Sequence, residues 1–313
     1  MATRTTMVTA ESVGDLSALI PEWRRSLYAA NKADKTISTY TEASEQLVSF
    51  LQRSGMPTAV ANVRREHVEA FIEHLRDGGK SAATLNNRYR SLVSLFKWLK
   101  EDGEISASPM ENISPPLVPE QPVPVLSAED VSTMLDACRK GKAFDDVRDE
   151  AAIRLFVDTG MRLAELTNLT VMDIDLDDRI AVVTGKGRRR RSCPFGNKTM
   201  GVIGKYLRQR ARRDDAAYTD ALWLGSRGPL TTAGVRALIE RRAKQAGIDG
   251  VHAHLFRHFA AHHAMSNETL GDNDVMRLFG WRSREMLSRY ASSAADARAM
   301  AAYRRKPSLG DRL

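Results

Sequence analysis

Cysteine is nearly missing from this chain. Its two thiols, Cys138 and Cys193, lie far apart in 313 residues and form no CxxC pair. A disulfide framework and a thiolate zinc site are thereby excluded, and two small buried side chains in a reducing compartment are expected. Long apolar runs are missing as well, so nothing in the chain is suited to span a bilayer. The opening stretch MATRTTMVTAESVG lacks the apolar core of a secretory signal, and a cytoplasmic location without membrane association is expected. Negative charge is in short supply too: 39 Asp and Glu face 47 Lys and Arg, a net charge of +8.

The positive excess is carried by arginine, 35 residues against 12 lysines. A guanidinium is a planar fork that fits two phosphate oxygens at once, whereas an ammonium is a point charge. Such a balance suits a polyanionic partner such as nucleic acid, although GC-rich coding also favours Arg over Lys.

Proline is concentrated rather than spread. Six of the eleven fall between Pro109 and Pro124, in SPMENISPPLVPEQPVPVLS. Proline removes helix donors and stiffens the chain, so residues 107–124 read as a linker between a smaller part, 15–106, and a larger part, 125–313. Residues 1–14 read as a flexible start. There is no internal repeat.

The smaller part has helical periodicity throughout. Ile37, Tyr40, Leu47, Phe50 and Leu51 form one apolar stripe; Val68, Phe71, Ile72 and Leu75 a second; Leu85, Tyr89, Leu92, Leu95, Phe96 and Leu99 a third. With a weaker segment near SALIPEWRRSLYAA, this predicts a bundle of about four helices. Lys80, Arg88, Arg90, Lys97 and Lys100 fall in the last helix or just before it, making that helix the candidate for a groove-facing element.

The larger part opens on LSAEDVSTMLDACRK, where Ser127 and Asp130 have capping-box spacing. A helical region follows and breaks at Gly160. RIAVVT, GKG and RRRRSCPF then alternate as a β-hairpin with a glycine turn, and three further helical segments return after it. The expected fold class is mainly α, with a small antiparallel β-sheet in the larger part.

Five of the seven histidines crowd into VHAHLFRHFAAHH, residues 251–263. His254, His258 and His262 recur every fourth residue and share one helical face. A zincin would carry HExxH; here Leu255, Phe256 and Arg257 follow His254, and a fixed cation three residues on opposes a divalent metal. No metal is expected. His254 with Arg257 instead makes an anion-clamping pair, one side chain with fixed charge and one able to exchange a proton near neutral pH. Alone, HxxR is a weak signal. It has companions: TGMRLAEL sets Arg162 after Gly160, with Glu165 placed to orient it; GKGRRRR puts Lys186 at a hairpin tip, ahead of Arg188, Arg189 and Arg190; LFGWRSREMLSRY carries Trp281 and Tyr290.

In this order the motifs resemble the tyrosine recombinases, the phage-integrase and Xer-type site-specific DNA recombinases. SAATLNNRYRSLVSLFKWL resembles the last helix of the family's core-type DNA-binding domain, PVLSAEDVSTML the entry to its catalytic domain, and HAHLFRHFAAHHAM its HxxRH helix. The resemblance implies two domains forming a clamp around double-stranded DNA, and cleavage and rejoining through a 3′-phosphotyrosyl intermediate. It assigns Tyr290 as nucleophile, His254 as proton acceptor and Arg162 and Arg257 to the non-bridging oxygens. Lys186 becomes the general acid, with Glu165 and His258 supporting. The family's commonest residue at 281 is histidine; Trp281 can donate a hydrogen bond but cannot shuttle protons. Lys80, Arg88, Arg90, Lys97, Arg188, Arg189 and Arg190 are the candidate DNA contacts. No cofactor is implied. The implied assembly is a homo-tetramer on paired sites, associated with the nucleoid, with a possible accessory directionality factor. The alanine-rich tail, with Ala297, Met300 and Tyr303 on one face, would dock on a neighbouring copy. Two other readings stay open: a DNA-binding protein that uses this fold without cleavage, and a metal-dependent nuclease built on His254, His258 and His262.

Overall fold

A computed structural model describes residues 14–119, 126–185, 189–266, 270–287 and 303. The chain divides into two compact units, Met1–Gln121 and Pro122–Leu313.

Among the described residues, unit 1 has four α-helices: α1 Leu16–Ala29, α2 Asp34–Arg53, α3 Arg65–Asp77 and α4 Ala82–Glu101. Two of them start on a side chain that accepts from their first free N–H groups. Asp15 caps α1 through the Ser17 N–H, and Ser81 caps α4 through the Thr84 N–H. The three apolar stripes meet in one core around Leu47, Leu51, Phe71, Leu92, Leu95, Phe96 and Leu99, with Trp23 stacked on Tyr40. The first half of the proline-rich segment is held against this unit. Met110 is buried, Tyr89 donates to the Ile113 carbonyl (2.6 Å), and Asn86 donates to the Pro116 carbonyl (2.9 Å). Composition alone marks that stretch as linker from residue 107; packing keeps it on unit 1 at least to Pro116.

Unit 2 runs α5 Ala128–Arg139, α6 Phe144–Thr159, α7 Leu163–Thr167, β1 Ile174–Asp175, β2 Ile180–Thr184, β3 Arg190–Pro194, α8 Asn197–Arg210, β4 Leu224–Gly225, β5 Gly228–Pro229, α9 Thr232–Gln245, α10 Ala253–Ser266 and α11 Asp272–Phe279. The capping box before α5 forms as its spacing predicts: Asp130 N–H to Ser127 Oγ, and Ser127 N–H to Asp130 Oδ2. Strands β1, β2 and β3 make a three-stranded antiparallel sheet in sequence order. Val183 stands opposite Arg191 and Ala181 opposite Cys193, so these four side chains share the inward face.

The core of unit 2 gathers Ile153, Phe156, Leu166, Ile203, Tyr206, Trp223 and Phe256. Two of its aromatic side chains have their polar atoms paired: Trp223 Nε1 donates to the Leu166 carbonyl, and the Tyr206 hydroxyl bridges the Leu222 carbonyl and the Leu224 N–H. Central α6 carries a buried charge, Asp149, neutralised by Arg148 from its own helix and by Arg241 and Arg242 from α9. Both cysteines are buried and free, and burial pushes the Cys138 thiol up to about 12. A second apolar cluster, Ala260, Ala261, Met265, Val275, Phe279, Trp281 and Leu287, joins α10 to α11. No helix among the described residues is long and apolar enough to cross a membrane.

Candidate functional site

Helix α6 stops at Gly160, whose φ of +53° is the left-handed turn that ends many helices. The chain reverses there and Arg162 becomes the N-cap of α7. Its backbone N–H donates to Glu165 Oε2 (2.6 Å) and its Nη1 to Oε1 (3.0 Å). The guanidinium is thus aimed by a carboxylate while 45% of the side chain stays exposed.

Glu165 itself is buried. Burial alone would raise its carboxyl, but hydrogen bonds and charge from Arg191 and Arg162 outweigh it and hold the group at about 2. Arg191, on the inward face of β3, makes a two-pronged pair with it: Nη1 to Oε1 at 2.8 Å and Nη2 to Oε2 at 2.7 Å. Its Nε donates to the Leu278 carbonyl at 3.1 Å.

Helix α10 brings the HxxR pair. Arg257 is 2% exposed; Nη1 donates to the Gly160 carbonyl and Nη2 to the Phe279 carbonyl, both at 2.7 Å. Its charge lies 5.4 Å from the Phe279 ring and 5.7 Å from the Trp281 ring. Trp281 is 6% exposed and tilts against Phe279 at 5.0 Å, just after α11 ends at Gly280 with φ +64°. His254 presents an exposed edge and meets His258 edge-on at 4.6 Å. Desolvation of the His254 ring, then the positive charges of Arg257, His252 and Arg162, move it below its ordinary value of 6.5.

Arg162, His254, Arg257 and Trp281, from α7, α10 and the turn after α11, are therefore brought together, with Glu165 and His258 against them. An imidazole kept neutral at pH 7 beside two guanidiniums can accept a proton next to an anion, whereas the same charges repel a divalent cation. Among the described residues no group of three or more His, Cys, Asp or Glu is arranged to hold a metal ion.

Lys186, Arg188, Tyr290, Ala297 and Met300 lie outside the described residues. Arg189 and Arg190 are exposed on the hairpin, as are Lys80, Arg90 and Lys97 in unit 1. Arg88 departs from the expectation of a basic groove-facing helix: its side chain is 13% exposed and its guanidinium is paired to Glu42 of α2. It faces the bundle because position 88 points the opposite way from 90 and 97 at 100° per residue. Lys97 and Lys100 also have acidic neighbours, Glu101 and Glu111. Tyr303 is 68% exposed. The residue missed by reading the motifs is Arg191. Strand alternation held the signal, since 191 and 193 fall on the face of Val183 and Ala181, away from 190 and 192.

Comparison with known proteins places these features in context. The model of the phage integrase family matches residues 124–297, and that of the phage integrase N-terminal SAM-like domain matches residues 19–103. Tyrosine recombinase XerC of Xanthomonas axonopodis pv. citri is 30% identical over 247 residues, covering 74% of this chain and 78% of that protein. Tyrosine recombinase XerD of Corynebacterium glutamicum is 29% identical over 237 residues, covering 72% and 78%. Among solved structures, the XerH site-specific recombinase bound to palindromic difH substrate, a post-cleavage complex, superposes with a TM-score of 0.72 at 22% identity, over 92% of this chain and 84% of that one. At that identity the likeness speaks for the fold.

Proposed function

The chain belongs to the phage integrase family, and from that premise we propose that it is a site-specific recombinase that cleaves and rejoins double-stranded DNA through a phosphotyrosyl intermediate. The observation that carries this reading is the convergence of Arg162, His254, Arg257 and Trp281 from separate stretches of unit 2.

The chemistry asks for such a set. Tyr290 Oη attacks the phosphorus, forming a P–O bond to the phenol as the bond to the 5′ oxygen breaks. A phenol with an ordinary pKa near 10 holds its proton at pH 7, so an acceptor is needed. His254, kept neutral by its neighbours, takes it. Arg162 meets the charge on the non-bridging oxygens; Arg257, expected to do the same, is 2% exposed with both Nη groups on backbone carbonyls, so it adds a fixed positive field behind Arg162 instead. Trp281 packs the site and offers a donor. Lys186 protonates the leaving 5′ oxygen, and the 5′ hydroxyl of a partner duplex later reverses the step, so the bond energy is stored rather than lost.

Exchange between two duplexes cuts four strands, and each chain offers one Tyr290, so four copies act on a pair of sites. Their link is the tail, whose Ala297, Met300 and Tyr303 dock on the neighbour's unit 2. A cavity of about 930 Å³ lined by Phe195, Phe259, Ala260, Leu270, Leu278 and Phe279 supports this by its size and apolar walls. Both units contact the duplex, with Lys80, Arg90, Lys97, Arg188, Arg189 and Arg190 on its phosphates, and the protein is DNA-associated in the cell. An accessory factor would set direction.

The test uses duplexes selected from a random-sequence pool by SDS-resistant attachment to the unsubstituted protein. Tyr290→Phe is expected to bind the selected duplex and attach to none of it, and EDTA is expected to leave attachment by the unsubstituted protein unchanged. Attachment by Tyr290→Phe, or its loss with EDTA, overturns the reading.

A further inference from the structure

The reaction above leaves Arg191 without a part, yet it is tightly held beside the site. It lies on the same hairpin as the exposed Arg189 and Arg190, but is itself 12% exposed and has three of its five N–H donors committed inside the protein. Phosphate contact is therefore not its task.

Its partners define another one. Two bonds go to Glu165, the carboxylate that aims Arg162 and also accepts the Arg162 backbone N–H. The third goes to the Leu278 carbonyl in the last turn of α11, where carbonyls have no partner within their own helix. The next carbonyl, Phe279, is taken by Arg257. Two arginines thus staple consecutive carbonyls at the end of α11, one from β3 and one from α10, immediately ahead of Trp281. Gly280 makes room for the first of them: a Cβ there would stand 3.3 Å from Arg191 Cδ and 3.4 Å from its Nη1.

We propose that Arg191 is a positioning residue for strand cleavage: it fixes the Glu165 carboxylate that orients Arg162, and anchors the turn that carries Trp281 to the same strand. This rests on the recombinase reading. Only a guanidinium suits the task, because a lysine ammonium cannot direct two parallel bonds to one carboxylate and a third to a carbonyl.

The experiment is a double-mutant cycle, measuring single-turnover attachment to the selected duplex for the unsubstituted protein, Arg191→Lys, Arg162→Ala and the double variant. Arg191→Lys is expected to slow attachment roughly 10- to 100-fold, the usual effect of displacing a group that holds a reacting group in place. Its affinity for the duplex should stay within about threefold, since no phosphate contact is removed. In the Arg162→Ala background the same change should cost several-fold less, because the side chain it aims is gone and only the anchored turn that carries Trp281 is left to move. A slowing that multiplies in full through the Arg162→Ala background overturns the proposal, as does attachment by Arg191→Lys at the unsubstituted rate. If Arg191→Lys shows no cooperative melting transition, Arg191→Gln takes its place in the cycle under the same criteria. Failure of the unsubstituted protein to attach to any duplex would instead strike the recombinase reading itself.

Discussion

Replacing Gly160 by alanine tests the close packing on which the site is built. Gly160 sits at φ +53°, where an L side chain costs about 1–2 kcal/mol. A Cβ there would also stand 2.3 Å from Phe279 Cε1 and 3.0 Å from Ala260 Cβ. Neither neighbour can yield easily: Phe279 is 3% exposed, wedged against Trp281 and the Arg257 guanidinium. Forcing a methyl into such packing costs roughly another 1–3 kcal/mol. The expected loss for unit 2 is therefore about 2–5 kcal/mol. The Gly160 carbonyl that accepts from Arg257 would shift as well, so attachment to DNA should fall roughly 100-fold. Gly201→Ala is the control. That residue lies inside α8 with nothing within 4 Å of the added carbon, and alanine there should be neutral or stabilising by up to about 1 kcal/mol. Urea unfolding of the three proteins, followed by near-UV circular dichroism, gives the comparison. The reasoning is refuted if Gly160→Ala unfolds within about 1 kcal/mol of the unsubstituted protein and attaches to DNA at its rate.

Two further outcomes are expected. Asp149→Ala leaves the buried guanidiniums of Arg148 and Arg242 with only part of their partners, and should destabilise unit 2 by about 3 kcal/mol or more in the same urea assay. His254 should titrate by proton NMR with a midpoint below 6.5 in the free protein, rising in Arg162→Ala as one repelling charge goes. The sign for stability follows: the unfolded chain binds this proton more readily than the folded one, so the contribution is present above about 6.5 and is lost as pH falls below it. A midpoint above 6.5 would mean that burial and the arginines together do not disfavour the charged ring.

Much of this was readable along the chain. The apolar stripes of α2, α3 and α4 are spaced by the helix itself, so their core residues follow from the period. Ser127 and Asp130 announced the start of α5 because a capping box needs only residues three apart. The order Arg162, Glu165, His254, Arg257, Trp281 could be listed without coordinates, as motifs are local.

Direction was harder. Arg88 looks like its neighbours Arg90 and Lys97, but a helix turns it toward Glu42. Four consecutive arginines look equivalent until strand pairing sends Arg191 inward and Arg190 outward, with Arg189 exposed ahead of the strand. The proline-rich segment has the composition of a linker, yet Met110 finds an apolar site on unit 1.

Sequence alone determined most of the helices, though not α11, together with the hairpin, the two-part division and the kinds of side chain available for chemistry, because these depend on spacing and on local chemistry. Tertiary structure decided which arginines face solvent and which serve as staples. That depends on carbonyls and carboxylates far away in the chain, Gly160 and Phe279 for Arg257, Glu165 and Leu278 for Arg191, and only folding brings such partners within hydrogen-bonding distance.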